Sequence, residues 1–188
     1  MGTLVEPGGG FTSLKIKLLP AALCACLFAA NAPAQTDATP RFQDYRAPVY
    51  KGRVARVNVN GSAQARGYRT RLREGARRGV NFAGQYTLHT WSCGTGCLQT
   101  VFIDAKTGAA SFPAPLNGFI ACYWDAKPVE SLEEALSFRR DSRLIVMSGY
   151  PSGERGKDDP AAGLYYYEWA GGELKLIKYV KKDREGGC

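Results

Sequence analysis

From residue 85 onward, apolar and polar positions alternate in short runs separated by turn residues, the rhythm of antiparallel strands. In 85–92, Tyr86, Leu88 and Thr90 face one way, while Thr87, His89 and Trp91 face the other. Cys93-Gly94-Thr95-Gly96-Cys97 reverses the chain, and Thr100-Val101-Phe102-Ile103 reads as the returning strand. Asp104-Ala105-Lys106-Thr107-Gly108 has the composition of a turn; 109–112 continues the meander until Pro113 and Pro115 stop it. A short strand is predicted at 119–124. Hairpins follow at 136–138 with 143–148, around Arg139-Arg140-Asp141-Ser142, and at 164–169 with 173–180, around Gly171-Gly172. Ser131-Leu132-Glu133-Glu134 has capping-box spacing and predicts one helical turn. The stretch 149–163, rich in Gly, Pro and charge, predicts a mobile loop.

The rhythm is different upstream. Tyr68, Leu72 and Ala76 fall four apart, which predicts one amphipathic helix over 68–78 with arginines around its outer face. Gly75 weakens that helix, and Gly79 is placed to end it. The looser alternation Arg53-Val54-Ala55-Arg56-Val57-Asn58-Val59 predicts an edge strand, closed by a turn at Asn60-Gly61-Ser62. The fold class expected is mainly β (α+β): an antiparallel meander forming a sandwich or partly closed barrel, with one N-terminal helix packed on it. A four-bladed propeller would consume about 160 residues and leave no room for the basic segment.

The apolar run 18–30 follows Lys15 and Lys17 and precedes Ala32-Pro33-Ala34. A basic flank, a short apolar core and a small-x-small site together read as a signal peptide cut after Ala34, with Gln35 becoming the first residue. The run is too short to span a bilayer comfortably, so no transmembrane span is expected in the mature chain. Leu23-Cys24-Ala25-Cys26 loosely matches a lipoprotein site, and lipidation at Cys26 would leave the protein anchored. The organisation expected is a signal peptide at 1–34, a basic segment at 35–66 and a β-rich, disulfide-containing domain at 67–188, working in the periplasm or outside the cell.

Charge sharpens this picture. Processing removes Lys15, Lys17 and Glu6, which takes the formal +8 of the whole chain to +7. Eleven basic residues lie between Arg41 and Val80, opposed only by Asp44 and Glu74; from Asn81 onward the signs nearly balance. The excess is therefore local. Arg69, Arg73, Arg77 and Arg78 are the candidate residues for binding a polyanion or a partner, with an envelope protein or anionic surface as the partner class. A solvated helix face is the plainer reading. Nucleic acid is disfavoured, since no recognition motif accompanies the arginines and an exported protein rarely meets it.

Four cysteines survive processing: Cys93, Cys97, Cys122 and Cys188. They allow three connectivities. Cys93–Cys97 is favoured because two glycines let the short loop fold back. Cys122–Cys188 would then remain, or Cys188, as the last residue, stays free or pairs between chains.

Catalytic arrangements are thin. Cys93 and Cys97 are separated by three residues and flanked by strands, unlike a redox pair at a helix N-terminus. His89, Cys93 and Cys97 offer metal-ligand types, but an oxidising compartment pairs the thiols instead. His89 is the only histidine, and Gly149-Tyr150-Pro151-Ser152-Gly153 misplaces the serine of a nucleophile elbow. Glu133, Glu134 and Asp141, or Asp158 and Asp159, would need an apolar pocket to act as a glycosidase pair. No cofactor or metal site is read. Tyr165, Tyr167 and Trp169 share a face, either a core stripe or a sugar- or peptide-binding platform. Asn81 and Phe82 read as a helix-exit turn and a core anchor.

Asn81-Phe82-Ala83-Gly84-Gln85-Tyr86, Trp91-Ser92-Cys93-Gly94-Thr95-Gly96-Cys97 and the Asp104–Gly108 turn resemble motifs of a group of uncharacterised exported bacterial proteins. Asp141-Ser142-Arg143-Leu144-Ile145-Val146 and Tyr166-Tyr167-Glu168-Trp169 are similar as well, and the likeness covers roughly 68–180. The resemblance implies export and a shared fold and supplies no catalytic residues. The expectation is therefore a non-enzymatic exported domain that binds an envelope protein or polymer, of inhibitor, immunity or accessory type. The alternative is a thiol-disulfide oxidoreductase using Cys93 and Cys97, and a further one is polyanion adhesion through the arginines.

Overall fold

The structure, a computed structural model, describes residues 38–124, 132–152 and 162–182, together with Gly2. The chain divides into two compact units, Met1–Thr36 and Asp37–Cys188. Apart from Gly2 the first unit lies outside the described residues, and with it the signal segment and Cys26.

The second unit is mainly β. Its eight strands are β1 (Tyr86–Gly94), β2 (Cys97–Asp104), β3 (Ala110–Ser111), β4 (Asn117–Ala121), β5 (Leu136–Phe138), β6 (Leu144–Tyr150), β7 (Gly163–Ala170) and β8 (Glu173–Lys181). They form one antiparallel sheet in the order β1-β2-β4-β6-β7-β8, not closed into a barrel. The expected hairpins are present, and 3-10 turns occupy Ala114–Leu116, after Pro113, and Leu132–Ala135. Tyr150 extends β6 into the stretch read as a loop, and 153–161 lie outside the described residues.

The sheet forks at β2 and again at β6. β1 pairs along almost the whole of β2, so β3 and β4 must share the other edge: β3 takes Phe102 and Ile103, and β4 takes Cys97 to Gln99. β6 repeats the arrangement, with β7 on one edge and β5 and β4 sharing the other. Among the described residues, the two halves of the sheet pair with each other through the short β4, and they curl about it. On a flat sheet β1 and β7 would be about 19 Å apart. Instead the Tyr86 and Trp169 rings meet at 5.4 Å, and Phe102 meets Trp169 at 4.8 Å. The concave side holds the main core, including Phe82, Leu98, Phe102, Phe119, Ile145 and Met147. Each such side chain, fully buried, contributes roughly 1.5–3 kcal/mol.

The predicted helix is two short helices, α1 (Ala63–Gly67) and α2 (Arg69–Ala76). Ser62 caps α1, its Oγ accepting from the Ala65 N–H at 3.0 Å. Tyr68 leaves helical geometry between them (φ −102°, ψ 22°), so the chain jogs there. The predicted stripe is the packed one: Tyr68, Leu72 and Ala76 lie with Trp91, Val101 and Ile103 against the outer face of β1 and β2. Gly75 has a different role from the one expected. It is buried against His89, where a Cβ would come within 2.8 Å of the His89 Cβ. Close packing, not helix weakness, explains it.

Segment 53–59 corrects another expectation, since it is not a strand. Ala55 N–H donates to Ala105 O and Asn58 N–H to Gly108 O, both at 2.8 Å. Two bonds to a turn hold it extended without building a ladder. Upstream, residues 41–50 strap the sheet ends together: Arg143 N–H donates to Tyr45 O, Ala47 N–H to Asp141 O and Tyr50 N–H to Gly84 O.

The Asn81–Tyr86 element is where these parts meet. The Asn81 side chain donates to Leu88 O at 2.9 Å and accepts from Leu88 N–H at 2.7 Å. Phe82 is fully buried. Ala83 adopts φ +46° and Gly84 φ +76°, where a Gly84 Cβ would lie 2.1 Å from Pro48 O. Backbone crossing and core anchoring account for this motif.

Candidate functional site

Among the described residues, concave features that carry polar side chains include a groove and a cleft. The first lies between the extended segment 54–60 and α2, a groove of about 600 Å³. Arg56 enters it from the extended segment, Arg73 from α2 and Arg77, four residues on, from the cap at the C-terminus of α2. Asn58 and Asn60 add amides, and among the described residues no acidic side chain lines it. Glu74, the acid within α2, is 3.0 Å from Arg71. Arg69 and Arg78 are exposed but do not line the groove, and Arg69 Nε donates to Arg66 O at 3.1 Å. Of the four arginines singled out by sequence, the structure thus brings two into the groove and adds Arg56. The outward phase of 54, 56 and 58 was the available signal for Arg56.

The second feature is a cleft of about 880 Å³ at the seam where the sheet ends meet under the strap. Tyr50, Tyr86 and Trp169 form apolar wall, and Lys106, Arg143 and Glu168 are its charged groups. Arg143 Nε and Nη2 both donate to Glu168 Oε1, at 3.0 and 2.9 Å, and Nη1 donates to Arg46 O at 2.6 Å. The nearby Tyr45 hydroxyl has its pKa raised, first by burial and then by the Glu168 charge. Sequence reading missed this cleft, because its walls come from five separate segments.

The remaining candidates resolve as follows. Cys93 and Cys97 are bonded to each other, with Cα atoms 5.1 Å apart, at the exposed tip of the β1–β2 hairpin. Cys122 is disulfide-bonded and fully buried, and Cys188 lies outside the described residues. His89 is buried under α2, and its ring is 5.6 Å from Trp91. Tyr167 and Trp169 are buried, with Tyr165 packed on the same core, so this face is a core stripe. Ser152 Oγ donates to Asn117 O at 2.7 Å. Glu134 and Asp141 are exposed, whereas Asp158 and Asp159 lie outside the described residues. Among the described residues, no helix is long and apolar enough to cross a membrane.

Compared with protein-family models, curated proteins and solved structures, the chain has no match.

Proposed function

We propose that this chain is an exported, non-enzymatic binding domain whose arginine groove takes an acidic segment of an envelope protein. The groove itself carries the reading: Arg56, Arg73 and Arg77 converge on one concavity, with no carboxylate among its described lining residues. Guanidinium groups present fork-shaped donors that match carboxylates two at a time. A concave site suits a chain segment better than a flat membrane surface, and the asparagine amides at 58 and 60 suit its backbone. Export rests on the N-terminal signal pattern with cleavage near Ala34, on the stapled hairpin and on the resemblance to exported bacterial proteins. In this reading the curl about β4 is that of a partly closed barrel, with the helices as an outer layer.

Polyglutamate is the direct probe, with phosphatidylglycerol vesicles as the competing surface. The double variant Arg73→Glu/Arg77→Glu should weaken polyglutamate binding by about tenfold or more, and added salt should weaken the wild type. Polyglutamate binding unchanged by charge reversal, or binding to vesicles alone, overturns the reading. The exposure of the Cys93–Cys97 bond keeps a thiol-disulfide oxidoreductase as the second reading. It requires insulin reduction that is lost in Cys93→Ser.

A further inference from the structure

The cleft at the sheet seam is a separate site from the arginine groove, and its chemistry is more selective. Its walls are preset. The strap is held to the 83–86 turn and to the turn before β6 by the backbone bonds of Ala47, Tyr50 and Arg143, at 2.7–2.8 Å. Its size falls within the range of pockets that enclose small organic ligands. Its charges sort into one spent pair and one available group. The Arg143 guanidinium is committed to Glu168 Oε1 and to Arg46 O, so its charge and most of its donors are satisfied within the protein. Lys106 pairs with no carboxylate among the described residues, and its Nζ lies over the Tyr50 ring, 5.6 Å from the centroid. The cleft therefore offers one unneutralised ammonium beside aromatic wall.

We propose that this cleft binds a small monocarboxylate carried on a six-membered ring, with the carboxylate on Lys106 and the ring against Tyr50 and Tyr86. One cation calls for one anion. The aromatic wall favours a ring with an apolar face, whether of a sugar or of an arene. The second oxygen of Glu168 is an acceptor for a ring hydroxyl.

Nitrogen-15 NMR titration of the full chain tests this with glucuronate and 4-hydroxybenzoate, and with glucose and phenol as their neutral counterparts. The expected result is amide shifts at 47, 49, 50, 83–86 and 168–172 with one or both carboxylates, about tenfold weaker with the neutral partner. The two acids separate a sugar source from an aromatic one. Lys106→Met should remove the preference for the charged ligand, and Tyr50→Leu should weaken charged and neutral ligands alike. Arg73→Glu/Arg77→Glu should leave this binding intact, so the cleft and the groove stand or fall separately. Equal binding of charged and neutral ligands, a full affinity for the acids in Lys106→Met, shifts confined to the arginine groove, or no shifts at all would each overturn the proposal. Among the described residues the Lys106 side chain touches other elements only through the Tyr50 ring, so its variant decides the matter if Tyr50→Leu does not fold.

Discussion

Replacing Gly75 by alanine sets two effects against each other, and the structure says which should win. Alanine is favoured over glycine inside a helix by about 1 kcal/mol, so propensity alone predicts a gain. The added methyl, however, would sit 2.8 Å from the His89 Cβ and 2.9 Å from Cγ and Cδ2. Carbon atoms rest at about 3.5–4.0 Å, so α2 or β1 must give by roughly 0.7 Å. Neither yields cheaply. The first contact is with a Cβ fixed to the strand backbone, and Leu72, on the same helix, is fully buried beside it. Overpacking of this kind costs about 1–3 kcal/mol. Gly67, in α1, is the control, since nothing lies within 4 Å of its would-be Cβ. Both variants gain helix preference, so the difference between them isolates the clash. Urea unfolding followed by tryptophan fluorescence, with disulfides intact, should place Gly75→Ala below Gly67→Ala by about 1–3 kcal/mol. A Gly75→Ala protein as stable as Gly67→Ala would refute the packing argument and return Gly75 to a mere helix weakness.

Ser142 ties the strap to β6: its Oγ donates to Phe42 O at 2.8 Å and accepts from Leu144 N–H at 3.2 Å. Ser142→Ala should cost about 1–3 kcal/mol and speed hydrogen exchange at Leu144; unchanged exchange there would count against the tie. Opening Cys93–Cys97 by Cys93→Ser/Cys97→Ser should cost at most about 2 kcal/mol, because the two cysteines are only four positions apart and the β1–β2 ladder persists behind them. A larger loss in chemical unfolding would mean that the bond supports more than its hairpin. Phe82→Ala should cost about 3–5 kcal/mol in the same assay, since Phe82 is fully buried against Phe102 and Phe138. Arg73→Glu/Arg77→Glu should stay within about 0.5 kcal/mol of the wild type, as both side chains are exposed, and a larger drop would assign them a folding role.

Several of these features were legible in the chain. The alternation from Tyr86 to Trp91 correctly divided β1 between the inner core and the helix-facing side. The Asp104–Gly108 turn, the two glycine-marked hairpin ends and the Tyr68-Leu72-Ala76 stripe were equally readable, because each pattern is complete within about ten residues. The arginine groove was half legible. Its helix contribution followed from spacing on α2, but Arg56 joined it only because the turn after β2 holds 55–58 alongside. The expected strand at 53–59 failed for a related reason. Alternation reports which side chains turn inward, not whether a neighbouring strand is there to complete a ladder.

Local order was thus largely legible in the sequence: most strands after residue 85, the faces they bury, the turns between them and where positive charge accumulates, though not the bounds of β4, expected at 119–124, or the state of 53–59. Only the tertiary structure decided how the sheet forks at β2 and β6, why Gly75 must lack a side chain, and that Arg143 and Glu168, 25 residues apart, meet beside Lys106 at one seam. Such meetings depend on the curl of the whole sheet. That curl arises from contacts between distant strands, which no short window of residues contains.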